Sequence, residues 1–348
     1  MNRRSIKKTT ALLLTAALLC LAVGCTAPAP DDSTLEGPIP ESTADTESTA
    51  PVTLRLGGLK GPTTMGLVGL LSDAETADPT DGVQVDFRLA AAADELTPLF
   101  IQGKLDVLAA PVNLASVLYN KTEGSAQLAA VNTLGVLYVV EQGDSVQSVA
   151  DLAGKTVYAT GKGTTPEYML TYLLAQNGLT VGKDVQVEWK SEATEIVALM
   201  TQTSDAVALL PQPFVTVASG QIQNLRVALD LTAEWQAIND APPVTGGVIV
   251  RREFAEQYPD ALAAFLERYA ASTAFVNEQP AAAAQLIEGY GIVRAAVAEK
   301  AIPACNIVFL TGQPMTDAVS GYLQVLYEQD PAAVGGALPG EDFYLSAP

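Results

Sequence analysis

The sequence contains no histidine in 348 residues. That excludes Ser–His–Asp and Cys–His catalysis and removes the commonest zinc ligand. Cysteine is nearly as scarce, with three. Cys20 lies in an apolar N-terminal run and Cys25 just beyond it, which leaves Cys305 alone. The main body of the chain therefore forms no intramolecular disulfide and must rest on its core, which about 300 residues can supply. Cys305 reads as a small buried hydrophobe. Basic residues are also few, 19 against 39 acidic ones, for a formal net charge of −20. A surface this acidic repels nucleic acid and anionic lipid headgroups, so neither is an expected partner. No metal, cofactor or catalytic residue is assigned.

A long apolar run is missing too. Residues 1–8 carry Arg3, Arg4, Lys7 and Lys8 and no acid, and an apolar stretch, 11–23, follows with Thr15 as its one break. A membrane-spanning helix needs about 20 apolar residues, so this is a secretory signal rather than a span. Its end, Leu21-Ala22-Val23-Gly24-Cys25, resembles the bacterial lipobox, with Ala22 where Leu is usual. The reading is a signal peptide over 1–24 and a diacylated Cys25, and two acyl chains give a stable anchor. An ordinary signal peptide with an incidental cysteine is the alternative. Loss of 1–24 would move the net charge from −20 to −24. Residues 26–51 hold five prolines, six acids, no base and no aromatic. Such a segment buries too little apolar surface to order itself, so 25–51 reads as a lipid-anchored acidic linker.

Beyond it, strand and helix patterns alternate, which indicates an α/β architecture, and the pattern repeats. Val83-Gln84-Val85-Asp86-Phe87-Arg88 returns as Val185-Gln186-Val187-Glu188-Trp189-Lys190. Glu95-Leu96 with Leu99 and Gln102 returns as Glu195-Ile196 with Leu199 and Gln202. Short apolar strands, 105–110 and 205–210, then end at Pro111 and Pro211. Upstream, Lys60-Gly61-Pro62-Thr63-Thr64 matches Lys162-Gly163-Thr164-Thr165-Pro166. The repeat predicts two lobes, 52–133 with 242–348 and 134–241. The chain crosses between them near 131–140 and 229–248, and the helical patterns after 260 return to the first lobe.

Ligands of doubly wound sheets bind beyond the carboxyl ends of the strands. Loops 60–64, 110–113, 160–166 and 210–213 take that position and should converge on one cleft. Gly61, Gly161 and Gly163 permit close approach of the backbone, and Thr63, Thr64, Thr164 and Thr165 offer hydroxyls at helix starts whose free N–H groups suit an anionic or polar group. Their alternative role is helix capping. Lys60 and Lys162 either reach the ligand or stay solvated. Pro62, Pro111, Pro211 and Pro213 stiffen the turns, while Asn113 and Gln212 supply amides suited either to specificity or to capping. Tyr158, Trp189 and Trp235 are the rings best suited to stacking, or else core. Gly161-Lys162-Gly163-Thr164 is no nucleotide loop, because Thr156 stands where that motif needs glycine.

Four stretches carry a family resemblance: Lys60-Gly61-Pro62-Thr63-Thr64-Met65-Gly66, Asp106 to Asn113, Asp151-Leu152-Ala153-Gly154-Lys155-Thr156-Val157, and Leu210-Pro211-Gln212-Pro213-Phe214. Together they resemble the nitrate/sulfonate/taurine and thiamine-precursor (NMT1/THI5-like) group of ABC-transporter solute-binding proteins, from about residue 52 onward. The resemblance implies a periplasmic-binding-protein-like fold of two doubly wound lobes joined by two crossover segments. It implies capture of a small sulfonate-, nitrate- or pyrimidine-like solute by lobe closure, by a monomer that is not an enzyme. Delivery would be to an ABC permease with a cytoplasmic ATPase, from an exported, membrane-anchored position. One member consumes its own histidine, a chemistry this chain lacks. An enzyme on the same fold, or a module feeding a sensor, are the alternative functions.

Overall fold

The computed structural model describes residues 51–76 and 82–346. The expected signal peptide, Cys25 and nearly all of the linker lie outside the described residues. No described helix is long and apolar enough to cross a membrane.

Two sheets organise the chain. The first orders its strands β11-β4-β10-β3-β1-β2 and the second β7-β6-β8-β5-β9. In the first lobe, β1 (Val52–Leu59) runs parallel to β2 (Val83–Ala90) and β3 (Val107–Pro111), while β10 (Val244–Arg251) lies antiparallel between β3 and β4 (Ala126–Leu134). In the second lobe, β6 (Thr156–Ala159) runs parallel to β7 (Gln186–Trp189) and β8 (Val207–Pro211), and β5 (Leu137–Gln142) lies antiparallel between β8 and β9 (Leu225–Asp230). The same order, second strand, first strand, third strand and antiparallel crossing strand, thus occurs twice. Helices α3 (Ala93–Ile101) and α6 (Ala193–Met200) stand at corresponding places, as do α4 (Val112–Lys121) and α7 (Phe214–Gln221). The sequence repeat is therefore a repeat of topology.

Periodicity explains the burial of the strands. β2 alternates exposed and half-buried positions along its middle, as an edge strand must, whereas β3 and β4, bonded on both sides, are buried nearly throughout. Asp106 is buried just before β3, where Arg55 Nε donates to it at 2.7 Å and Arg251 Nη1 lies 3.5 Å away, so its charge is compensated.

The chain passes between the lobes twice, from β4 to β5 and from β9 to β10. Short α8 (Leu231–Gln236) sits in the second passage, where Trp235 is fully buried and its Nε1 donates to the Ala241 carbonyl at 2.8 Å. Trp235 is thus core, packed between Tyr172 and Tyr322 at 5.0 and 5.2 Å between ring centroids. After β10, α9 (Arg252–Gln257), α10 (Pro259–Glu278), α11 (Pro280–Gly289) and α12 (Ala295–Ala301) precede β11 (Ile307–Leu310), which adds an edge to the first sheet. Finally α13 (Gly312–Gln329) packs against elements of both lobes. One apolar cluster joins Leu108 and Leu128 of the first lobe to Val139 and Leu209 of the second through Met315, Tyr322 and Leu323 of α13. Cys305 is fully buried, and burial pushes its thiol up to about 12.

Candidate functional site

All four strand-end loops border one cavity of about 650 Å³. Each lobe supplies matching pieces. Lys60, Gly61, Pro62, Thr63 and Pro111 come from the first, and Gly161, Lys162, Thr164 and Pro211 from the second. Gly61 (φ 147°) and Gly161 (φ 83°) hold backbone conformations that favour glycine, which lets both loops fold back toward the cavity. At Gly161 a Cβ would also come within 2.8 Å of Pro166 Cγ.

The remaining residues expected at the site lie elsewhere. Thr64 is fully buried, and its hydroxyl donates to the Leu59 carbonyl at 2.6 Å. Asn113 and Thr165 are buried behind the cavity, where Asn113 Nδ2 donates to the Ala333 carbonyl at 3.1 Å and Thr165 Oγ1 donates to Asn113 Oδ1 at 3.4 Å. The two residues stand at the starts of α4 and α5 (Thr165–Gln176), and an amide out of water needs partners. Gln212 Oε1 accepts from the backbone N–H of Thr216 at 3.3 Å and its hydroxyl at 2.9 Å, so it serves the start of α7. Gly163 is exposed and Pro213 precedes α7; neither is among the residues lining the cavity.

Carboxylates bond N–H groups just ahead of two of the helices. Glu95 Oε1 accepts from the N–H groups of Ala91 and Ala92 at 3.0 and 3.1 Å at the head of α3. Glu167 Oε2 accepts from Gly163 N at 2.5 Å at the head of α5. Thr164 Oγ1 donates to the Gly161 carbonyl at 2.7 Å, closing the loop on itself.

Several lining residues fall outside the expected set. Residues 91–94 and 190–194, which follow β2 and β7, border the cavity. The carboxyl-end rule covers those strands equally and is the signal in the sequence that reaches them. Val136, Leu137 and Thr245, at the two passages between lobes, have no such signal, since only the paired topology brings them together. Thr63 is held by its own carbonyl, which accepts from Asn132 Nδ2 at 3.1 Å and from the Tyr269 hydroxyl at 3.4 Å. Of the proposed rings, Trp189 and Tyr158 are half-buried, and Tyr158 faces Lys190 Nζ at 5.6 Å from its centroid.

Two other hollows, of about 660 and 460 Å³, share Arg251 and Glu253 at the opposite end of the first sheet. Their arginines are already engaged: Arg55 with Asp106, Arg251 with Asp106 and Glu253, Arg252 with Asp342. Neither hollow draws on both lobes.

Two doubly wound lobes with a shared cavity at their strand ends define a protein of the periplasmic-binding-protein fold. The NMT1/THI5 like family matches residues 82–283, well over half of the chain, and the protein belongs to that family. An ABC transporter structure from Parabacteroides distasonis is similar at 24% identity and TM-score 0.69, covering 84% of this chain and 99% of that one. The periplasmic aliphatic sulphonate binding protein SsuA from Escherichia coli is similar at 18% identity and TM-score 0.67, covering 86% and 97%. The alkanesulfonate-binding protein SsuA from Xanthomonas axonopodis pv. citri bound to MOPS is similar at 15% identity and TM-score 0.65, covering 84% and 96%. No curated protein sequence gives a match.

Proposed function

We infer that the chain is the solute receptor of an ABC importer. It takes a small organic molecule between lobes 52–133 with 242–348 and 134–241, and hands it to a membrane permease with a cytoplasmic ATPase. The observation that carries this reading is the cavity of about 650 Å³ with matching loop residues from both lobes, a volume within the range of small-molecule sites. Family membership and the solute-binding roles named for the similar structures support it. In this reading the protein is exported, tethered through Cys25 to the outer face of the cell membrane (the periplasmic side in a two-membrane bacterium), and acts as a monomer. Solute that touches both lobes favours the closed arrangement by differential contact, which is what a permease distinguishes.

Thermal-shift screening identifies binders, because a molecule that binds only the folded state raises the melting midpoint. Small-angle scattering with a saturating binder then tests closure. A smaller radius of gyration is expected, and an unchanged radius sinks the closing-receptor mechanism.

A further inference from the structure

The hydrogen bonds on either side of each passage show where the chain changes lobe. In the first passage, Asn306 of the first lobe grips the backbone twice. Its carbonyl accepts from Leu134 N at 3.1 Å, and its Nδ2 donates to the Gly135 carbonyl at 2.5 Å. One residue further, the Val136 carbonyl accepts from Gln212 N of the second lobe at 3.0 Å, and Leu137 enters the ladder with β8. The peptide plane before Val136 is thus bonded to one lobe and the plane after it to the other. Only φ and ψ of Val136 lie between two planar peptides so held.

The second passage changes lobe as abruptly. Asp230 is still paired with Tyr138 in the second sheet, and the Ala241 carbonyl accepts from Trp235 Nε1 at 2.8 Å. Val244 is already paired with Leu134 in the first sheet. Pro242 and Pro243 stand between. Neither has an N–H, so a turn there breaks no backbone donor bond, and each leaves only ψ free.

The two passages touch at Gly135. A Cβ there would collide with Thr232 Oγ1 of α8 and stand 3.0 Å from Pro243 Cγ. Gly135 is not among the residues of positive φ, so close approach rather than backbone conformation is what calls for glycine. Val136, beside it, is buried and lines the cavity, which puts this contact at the base of the cleft.

We propose that the lobes turn about Val136 in the first passage and Pro242–Pro243 in the second, and that Gly135 is a positioning residue. Its missing side chain lets the two pivots lie in contact, which fixes the turning axis and the angle between the lobes. Hinges of this kind confine a large movement to a few terminal residues of the elements they join. The proposal rests on the receptor reading for what the turning accomplishes, but its test needs no solute, so the two fail separately.

Fluorophores at positions 102 and 202, exposed and equivalent in the two lobes, are introduced through an unnatural residue in the full chain. They report the distance between lobes in single molecules. Gly135→Ala should shift the mean distance by several ångström, because the passages must part. Adding Thr232→Ala should recover part of that shift, since it removes the hydroxyl that the new Cβ meets. Pro242→Gly combined with Pro243→Gly should broaden the distance distribution. Gly57→Ala is the control: its Cβ would crowd Leu105 Cδ1 at 2.8 Å inside the first lobe, so it should lower the melting midpoint and leave the distance unchanged. An unchanged distance in folded Gly135→Ala, or an equal shift in Gly57→Ala, would overturn the role of Gly135. If Gly135→Ala does not fold, the proline variant decides, and a distribution no broader than wild type overturns the pivot.

Discussion

Glu141 shows how a single residue carries stability that depends on pH. Its side chain is 1% exposed on β5 and is bonded by Ser145 Oγ at 2.7 Å, by Val146 N at 3.0 Å and by Arg226. Burial alone would raise its pKa, but the bonds from Val146, Ser145 and Arg226 outweigh it and hold the carboxyl below its ordinary value. A carboxyl lowered on folding contributes stability that is fully present above the unfolded pKa, about 4.3, and is lost as pH falls through the folded value. The urea midpoint should therefore drop on acidification below about pH 4.3, and Glu141→Gln should make that acid limb shallower. Glu141→Gln should also lower the midpoint near neutrality, because Arg226 loses its charged partner. An acid limb of unchanged slope would assign the pH dependence to other carboxylates, of which Asp151 and Asp342 are also lowered. Residue roles of this kind were poorly legible beforehand. Asn113 and Gln212 suit either ligand contact or helix capping; the bond of Gln212 to Thr216 is the capping alternative, whereas nothing local says that Asn113 is turned to the Ala333 carbonyl.

At the scale of elements, far more could be read. Alternating patterns placed β2 and β7, and prolines marked the ends of β3 and β8, because those signals are local. What escaped were short pieces whose identity depends on neighbours, namely α8, α12 and β11. Strand β10 shows how tightly such neighbours constrain sequence. It crosses the sheet between β3 and β4, against the short helical turn Pro62–Met65 that carries Thr63. A Cβ on Gly246 would lie 2.5 Å from Thr63 Cγ2 and 2.6 Å from Asn132 Oδ1. Both contacts are far too short, and Asn132 cannot retreat without losing its bonds to Thr63 O and the Tyr269 hydroxyl. Gly246→Ala should cost about 1–3 kcal/mol by overpacking, read as a lower urea midpoint. It should also weaken binding of whatever occupies the cavity, since Thr63 must shift. A variant with wild-type stability and affinity would show that this corner of the sheet yields freely.

On the whole-molecule scale the lobes touch away from their connecting segments, and that contact sets how readily they part. Helix α13 spans both lobes without lining the cavity, and its apolar residues belong to the continuous cluster. A second contact between the lobes lies elsewhere, between α12 of the first lobe and α7 of the second. Val293, just before α12, packs against two separate apolar clusters. One holds Met65, Val276 and Ile287 of the first lobe, and the other Ile196, Phe214 and Val215 of the second. Its neighbour Ile292 lines the cavity, but Val293 does not. Val293 is half-buried, and Val293→Asp places a charge against that apolar seam, where it is better solvated when the lobes separate, so it biases the free protein toward an open arrangement. Apparent affinity scales with the fraction of molecules able to close, so each 1.4 kcal/mol of bias costs about tenfold. The expected result is a larger radius of gyration for the unliganded variant and a weaker apparent Kd, with ligand preference unaltered because no cavity residue has changed. If Val293→Asp left both radius and Kd at their wild-type values, the α12–α7 seam would have no part in closure, and the passages between lobes together with α13 would set the angle alone.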